Sequence, residues 1–119
     1  MKKIVYASRT GNVESIIQKL EINDTIKLET GIEVTNEEFI LFTYTDGYGD
    51  VPMEVESFLT DHKELIKGVI VSGDLSYGEA YCEAGDIISK EYQIPCLYKV
   101  ENDGTDEDII KIKEIIENL

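Results

Sequence analysis

Residues 3–12, KIVYASRTGN, decide how this chain folds. The apolar run Ile4–Ala7 passes into Ser8, Arg9, Thr10, Gly11 and Asn12, then into helix-compatible sequence. That order predicts a strand, a turn rich in hydroxyl, amide and glycine, and a helix start. Such a turn aims backbone N–H groups and short side-chain donors at one point, where the helix dipole adds positive potential. An anion, most often a phosphate, suits that point. Gly11 lets the backbone come close where a Cβ would obstruct it. Arg9 is the only arginine in a chain with 25 acidic and 11 basic residues and a net charge of -14. Its planar fork of donors sits beside the turn. The competing reading of the isolated turn is an ordinary βα loop with a surface arginine.

Further elements follow in order. Val13–Leu20 reads as a short helix with Ile16, Ile17 and Leu20 on one face and Asn12 as its N-cap. Thr25–Leu28 is a weaker strand. Phe39–Thr43, FILFT, is a near-continuous apolar run, as expected of a strand buried on both faces. After the loop TYTDGYGDVP, Pro52 sits where a helix begins, with Val55, Phe58 and Leu59 as its apolar stripe. Gly68–Ser72 is another buried strand, and the loop GDLSYG leads into a helix from about Glu79 to Tyr92. Pro95–Val100 is the fifth strand. Asp103-Gly104 marks a turn, and Thr105 caps a final helix in which Ile109, Ile112, Ile115, Ile116 and Leu119 recur at helical spacing. Five strands and four helices imply one α/β domain over residues 1–119, a flavodoxin-like doubly wound parallel sheet of order 2-1-3-4-5 with helices on both faces.

Composition narrows the function. A chain of 119 residues supports a single core. No stretch approaches a membrane span, and MKKIVYAS is too short an apolar run for a signal peptide, so a cytoplasmic location is expected, with no membrane partner. Cys82 and Cys96 are expected to stay reduced. His62, the only histidine, leaves no Cys/His cluster for zinc and no partner for nucleophilic catalysis; its polar neighbourhood, LTDHKE, predicts solvated helix surface. Scattered lysines on an acidic chain argue against nucleic acid. The acidity suits either a basic patch on another protein or solubility alone.

In such a sheet a ligand sits outside the carboxyl ends of the strands, beside strand one. Residues 8–12, 44–51 and 73–78 meet there, and they carry Gly11, Gly47, Gly49, Gly73 and Gly78 with Tyr44, Tyr48 and Tyr77. Tyrosines alone would serve to close a sheet edge. Beside a phosphate turn they suit a flat aromatic ligand with a phosphate tail, a flavin or a nucleotide. A receiver-domain acidic pair, a phosphatase cysteine and a Walker Gly-Lys are all missing from the first loop.

Ser8-Arg9-Thr10-Gly11-Asn12 resembles the FMN phosphate loop of flavodoxins. TYTDGYGDVP at 43–52, GVIVSGDLSYGEAYCEAGDIIS at 68–89 and IPCLYKVE at 94–101 with Gly104-Thr105 resemble the NrdI family, over essentially the whole chain. That family is flavodoxin-like and works with class Ib ribonucleotide reductase.

The resemblance implies FMN as a noncovalent cofactor. Ser8, Arg9, Thr10, Gly11, Asn12 and Val13 would hold its phosphate. Thr43, Tyr44, Thr45, Asp46, Gly47, Tyr48 and Gly49 would wrap one side of the ring system. Ser72, Gly73, Asp74, Tyr77 and Gly78 would line the other, with Tyr77 stacking. It implies that the reduced flavin, fed by an unidentified reductase, reacts with dioxygen. The superoxide or peroxide-level oxidant then assembles the dimanganese-tyrosyl radical cofactor of the reductase small subunit. No side chain is expected to be a catalytic acid or base, and no resident metal is implied. The alternative function is a general electron-transfer flavodoxin. The chain departs from the family at Val13, where a hydroxyl is usual, at Asp46, where threonine is frequent, and at Asp74-Leu75-Ser76, where Asn-Arg-Asn is frequent. These changes make the flavin edge more acidic. The Asp46–Gly47 peptide is the expected switch, rotating to offer its carbonyl to the ring.

Overall fold

The computed structural model describes residues 2–119. Five parallel strands form one sheet in the order β2-β1-β3-β4-β5: β1 Lys3–Tyr6, β2 Thr25–Lys27, β3 Phe39–Tyr44, β4 Ile66–Gly73 and β5 Cys96–Glu101. The helices are α1 Asn12–Lys19, α2 Met53–Thr60, α3 Glu83–Tyr92 and α4 Asp106–Glu117. This is the expected order, and the central strands show why. Side chains along a strand alternate between faces, and in β1 and β3 both sets are apolar. Ile4, Tyr6, Ile40 and Phe42 meet Val13, Ile16, Ile17, Ile112 and Ile116 of α1 and α4. Val5, Ala7, Phe39 and Leu41 meet Val55, Phe58, Leu59 and Ile88 of α2 and α3.

The path from β2 to β3 carries no α-helix. Residues 28–38 cross over the α2 face as irregular chain. The Glu33 carboxylate holds this segment together by accepting the N–H groups of Glu29, Thr30 and Gly31 at 2.8–3.1 Å. The segment rests on α2 through Ser57, whose hydroxyl donates to the Gly31 carbonyl at 3.4 Å.

Three local expectations are corrected. His62 is not solvated surface: only 7% of it is exposed. It lies one helical turn after Phe58, stacks on that ring at 3.9 Å and pairs its Nδ1 with the Phe58 carbonyl at 2.7 Å. Its Nε2 accepts the Thr35 N–H, which ties down the crossover. The helix expected from Glu79 begins only at Glu83, because Leu75–Ala80 forms a 3-10 segment and Cys82 adopts a left-handed conformation (φ 56) between the two. Finally, Gly11 rather than Asn12 is the N-cap of α1; Asn12 is its first helical residue. Thr105 does cap α4, in a reciprocal capping box with Asp108. No helix among the described residues is long and apolar enough to cross a membrane.

Candidate functional site

The turn after β1 leaves a run of backbone donors unpaired. Gly11 sits at φ 96, a left-handed conformation that costs a side chain dearly, and nothing lies within 4 Å of where its Cβ would be. The Ser8 hydroxyl accepts the Glu14 N–H at 3.1 Å and so caps α1 from outside the helix, leaving its own proton to donate. The Ser15 N–H goes to the Gly11 carbonyl. Among the described residues, the N–H groups of Thr10, Gly11, Asn12 and Val13 reach no protein acceptor. Four backbone donors are therefore left without a protein partner at the positive end of α1. Val13 contributes only its N–H, since its side chain is buried in the core. The Arg9 guanidinium points elsewhere, to Asp46.

The turn after β3 is stiff. The Asp46 N–H donates to the Asp50 carbonyl, and the Asp46 carbonyl accepts from both Gly49 and Asp50. The carbonyl of the Asp46–Gly47 peptide, the expected switch, thus holds two hydrogen bonds in this structure, and rotation of the peptide would break both. Thr43 is fully buried and donates to the Tyr44 carbonyl. Thr45 donates to the Ser72 carbonyl, joining the second turn to the third. Tyr44 turns away from Tyr48 and gives its hydroxyl to Glu54 of α2 at 2.7 Å. Burial and that carboxylate both push the Tyr44 pKa up, keeping the phenol protonated.

The third turn hangs from the ends of β4 and β5. Ser72 is buried and donates to the Asn102 carbonyl at 2.6 Å; Asn102 N–H returns the bond to Gly73. Gly73 has no room for a side chain, since its Cβ would lie 2.9 Å from the Cys82 nitrogen. Asp74 caps the 3-10 segment by accepting the Ser76 N–H at 2.9 Å, and that bond lowers its pKa. Gly78, at φ 59 with open space around its missing Cβ, lets the chain reverse beside Tyr77. Cys82 is free and buried. Burial raises its thiol to about 11.

The loops expected to form the site thus meet at one sheet edge, but their side chains divide. Tyr48, Asp74, Tyr77 and Gly78 are exposed or half-buried, as is Ser8. Thr43 and Ser72 have buried side chains engaged with backbone carbonyls, so they offer only backbone, while half-buried Tyr44 lines a surface cavity with Ser8, Arg9 and Asp46. Tyr48 and Tyr77 are exposed at 83% and 46% and touch edge to face, with centroids 5.5 Å apart. A planar ring between two parallel partners needs roughly 7 Å between them, twice the usual stacking distance. The two tyrosines must part to admit one, and their exposure leaves them free to do so. Sequence reading missed Glu54, Glu101 and Asn102, which hold Tyr44, the Leu75 N–H and Ser72 respectively. Glu101 ends the stretch IPCLYKVE, but its role, like those of Glu54 and Asn102, shows only in the packing.

Comparison with known proteins places this geometry. The model of the family described as NrdI flavodoxin-like matches residues 4–114. Among solved structures, a short-chain flavodoxin associated with a non-canonical PDU bacterial microcompartment is similar at a TM-score of 0.73. It is 23% identical, and the match covers 99% of this chain and 95% of that one. The flavodoxin of Fusobacterium nucleatum, solved bound to flavin mononucleotide, is similar at a TM-score of 0.63 with 18% identity, covering 99% and 96%.

Proposed function

The chain belongs to the NrdI flavodoxin-like family, and from that membership we propose that it is an FMN protein that activates a class Ib ribonucleotide reductase. The residues fit the cofactor. A phosphate has four unengaged N–H groups and the Ser8 hydroxyl to bind, at the positive end of a helix. Tyr48 and Tyr77, on turns braced by Asp46, Asp50, Asp74 and Asn102, offer the two aromatic faces for the ring system. Binding, orientation and electrostatics are the protein's share, and FMN supplies the redox chemistry. Held in its reduced form by these residues, it would supply electrons to dioxygen, the source of the superoxide or peroxide-level oxidant that a dimanganese small subunit would need. A separate reductase is the electron source.

The observation that carries the cofactor assignment is the row of N–H donors from Thr10 to Val13 that no protein acceptor engages. Support for a docking partner comes from the same edge. Tyr48, Met53, Leu75 and Tyr77 are all exposed there, on a chain whose net charge of -14 favours a basic surface.

The test has two stages. Purified protein titrated with FMN should turn yellow with a saturable 1:1 complex. The reduced complex, mixed with air and a Mn(II)-loaded small subunit from the same source, should then generate a tyrosyl radical. No radical with a verified partner would reject the activation role. Slow reaction with oxygen and efficient transfer to unrelated acceptors would identify a general electron carrier instead.

A further inference from the structure

Arg9 belongs to the anion turn, yet its guanidinium leaves it. One Nη donates to Oδ1 of Asp46 at 2.6 Å. The planar group lies over the Tyr44 ring, 5.1 Å from its centroid. Tyr44 is itself fixed by its bond to Glu54. The side chain therefore bridges the turn after β1 to the turn after β3. Asp46 sits on a hydrogen-bonded turn, because its own N–H and carbonyl close residues 46–50. Among the described residues, Arg9 is the one cation within salt-bridge distance of that carboxylate. The partners are 57% and 36% exposed, so the pair contributes little to folding. Its effect is local and electrostatic.

We propose that Arg9 is a positioning residue: its guanidinium neutralises Asp46 and fixes the 46–50 turn, and the anion is left to the backbone N–H groups of residues 10–13. This rests on the FMN assignment above. A bare carboxylate beside the ring opposes negative charge added there, whereas a paired one is compensated. Arg9 then governs how readily the site accepts electrons and has little part in gripping the phosphate. The asymmetry between arginine and lysine enters too, since the guanidinium both pairs with Asp46 and lies over the Tyr44 ring.

The experiment measures the dissociation constant of oxidised FMN and the midpoint potential of the bound flavin. The proteins are the parent chain, Arg9→Gln, Arg9→Lys, Asp46→Asn and the double variant Arg9→Gln/Asp46→Asn. Arg9→Gln should lower the potential, disfavouring reduced over oxidised FMN at least threefold, while changing affinity for oxidised FMN less than threefold. Arg9→Lys should recover most of the potential. Asp46→Asn should bring the Arg9→Gln potential back to the parent value, and high salt should shrink every difference. Two results would overturn the proposal. One is a tenfold or greater loss of oxidised FMN affinity in Arg9→Gln, which would make the guanidinium a phosphate ligand. The other is an Arg9→Gln potential equal to the parent's, or an Arg9→Gln/Asp46→Asn potential that stays as low as that of Arg9→Gln. If Arg9→Gln does not fold, Asp46→Asn alone is compared with the parent: it should raise the potential by leaving the Arg9 charge uncompensated, and an unchanged potential overturns the proposal. A parent chain that takes up no FMN refutes the cofactor assignment and this proposal together; an FMN-binding parent whose potential these charge changes leave unmoved refutes this proposal alone.

Discussion

Replacing Glu33 by glutamine should destabilise the protein in a way that depends on pH. Glu33 takes the place of the missing helix between β2 and β3. Its Oε2 accepts the N–H groups of Glu29 and Thr30 and the Thr30 hydroxyl, and its Oε1 accepts the Gly31 N–H. Desolvation alone would raise the carboxyl pKa, but the backbone donors outweigh it and hold the pKa at about 2 against an ordinary 4.5. Each tenfold change in proton affinity is worth about 1.4 kcal/mol, which sets an upper bound of about 3.4 kcal/mol. The side chain is only half-buried, so solvent screening reduces this to about 1–2 kcal/mol. The sign follows from linkage. A carboxyl with a depressed folded-state pKa stabilises above its unfolded-state pKa and loses that contribution as pH falls through the folded-state value. Urea denaturation of parent and Glu33→Gln should therefore differ by about 1–2 kcal/mol at pH 7. The gap should shrink by more than half at pH 3 and nearly close at pH 2. A gap of equal size at pH 7 and pH 2 would show that the carboxylate charge plays no part.

Other perturbations probe the site and the frame. Gly11→Ala forces a side chain into φ 96 at a cost of about 1–2 kcal/mol, and FMN affinity measured by fluorescence quenching should fall about tenfold. Asp74→Asn keeps an oxygen for the Ser76 N–H but removes a charge, so the midpoint potential of bound FMN should rise; an unchanged potential would show that Asp74 does not tune it. Thr105→Ala removes half of the α4 capping box and should cost about 1 kcal/mol, a fall of roughly 4 °C in Tm.

The parts of the fold legible in sequence were those where one residue type answers one physical demand. The buried strands Phe39–Tyr44 and Ile66–Gly73 are apolar on both faces, and no competing structure suits them. Thr105 and Asp108 announce their helix because capping is a matter of local spacing. The errors came where a residue's partner was distant or its backbone unusual. His62 reads as solvated among its charged neighbours, although it lies beyond the end of α2 and folds back onto the Phe58 ring. Cys82 in a left-handed conformation has no local signature, so the break before α3 was hidden.

In the site, glycine-bearing turns and tyrosines gave the location, since strand order alone brings those loops together. Side-chain direction was not legible. Arg9 reaches Asp46 and Tyr44 reaches Glu54 because of where the folded chain carries them. Glycine permits the Asp46–Gly47 peptide to rotate, but the two hydrogen bonds that its carbonyl accepts from Gly49 and Asp50 depend on later residues of the turn and are not legible in the dipeptide.

The central claim is that the donors after β1 hold a phosphate while the two tyrosine-bearing turns hold a ring. Amide NMR of the protein titrated with FMN, and separately with riboflavin, tests it most directly. FMN should shift the Thr10–Val13 signals together with those of residues 47–49 and 74–78, whereas riboflavin should move only the latter two groups. Shifts confined to other surfaces, or none at residues 10–13 with FMN, would contradict it.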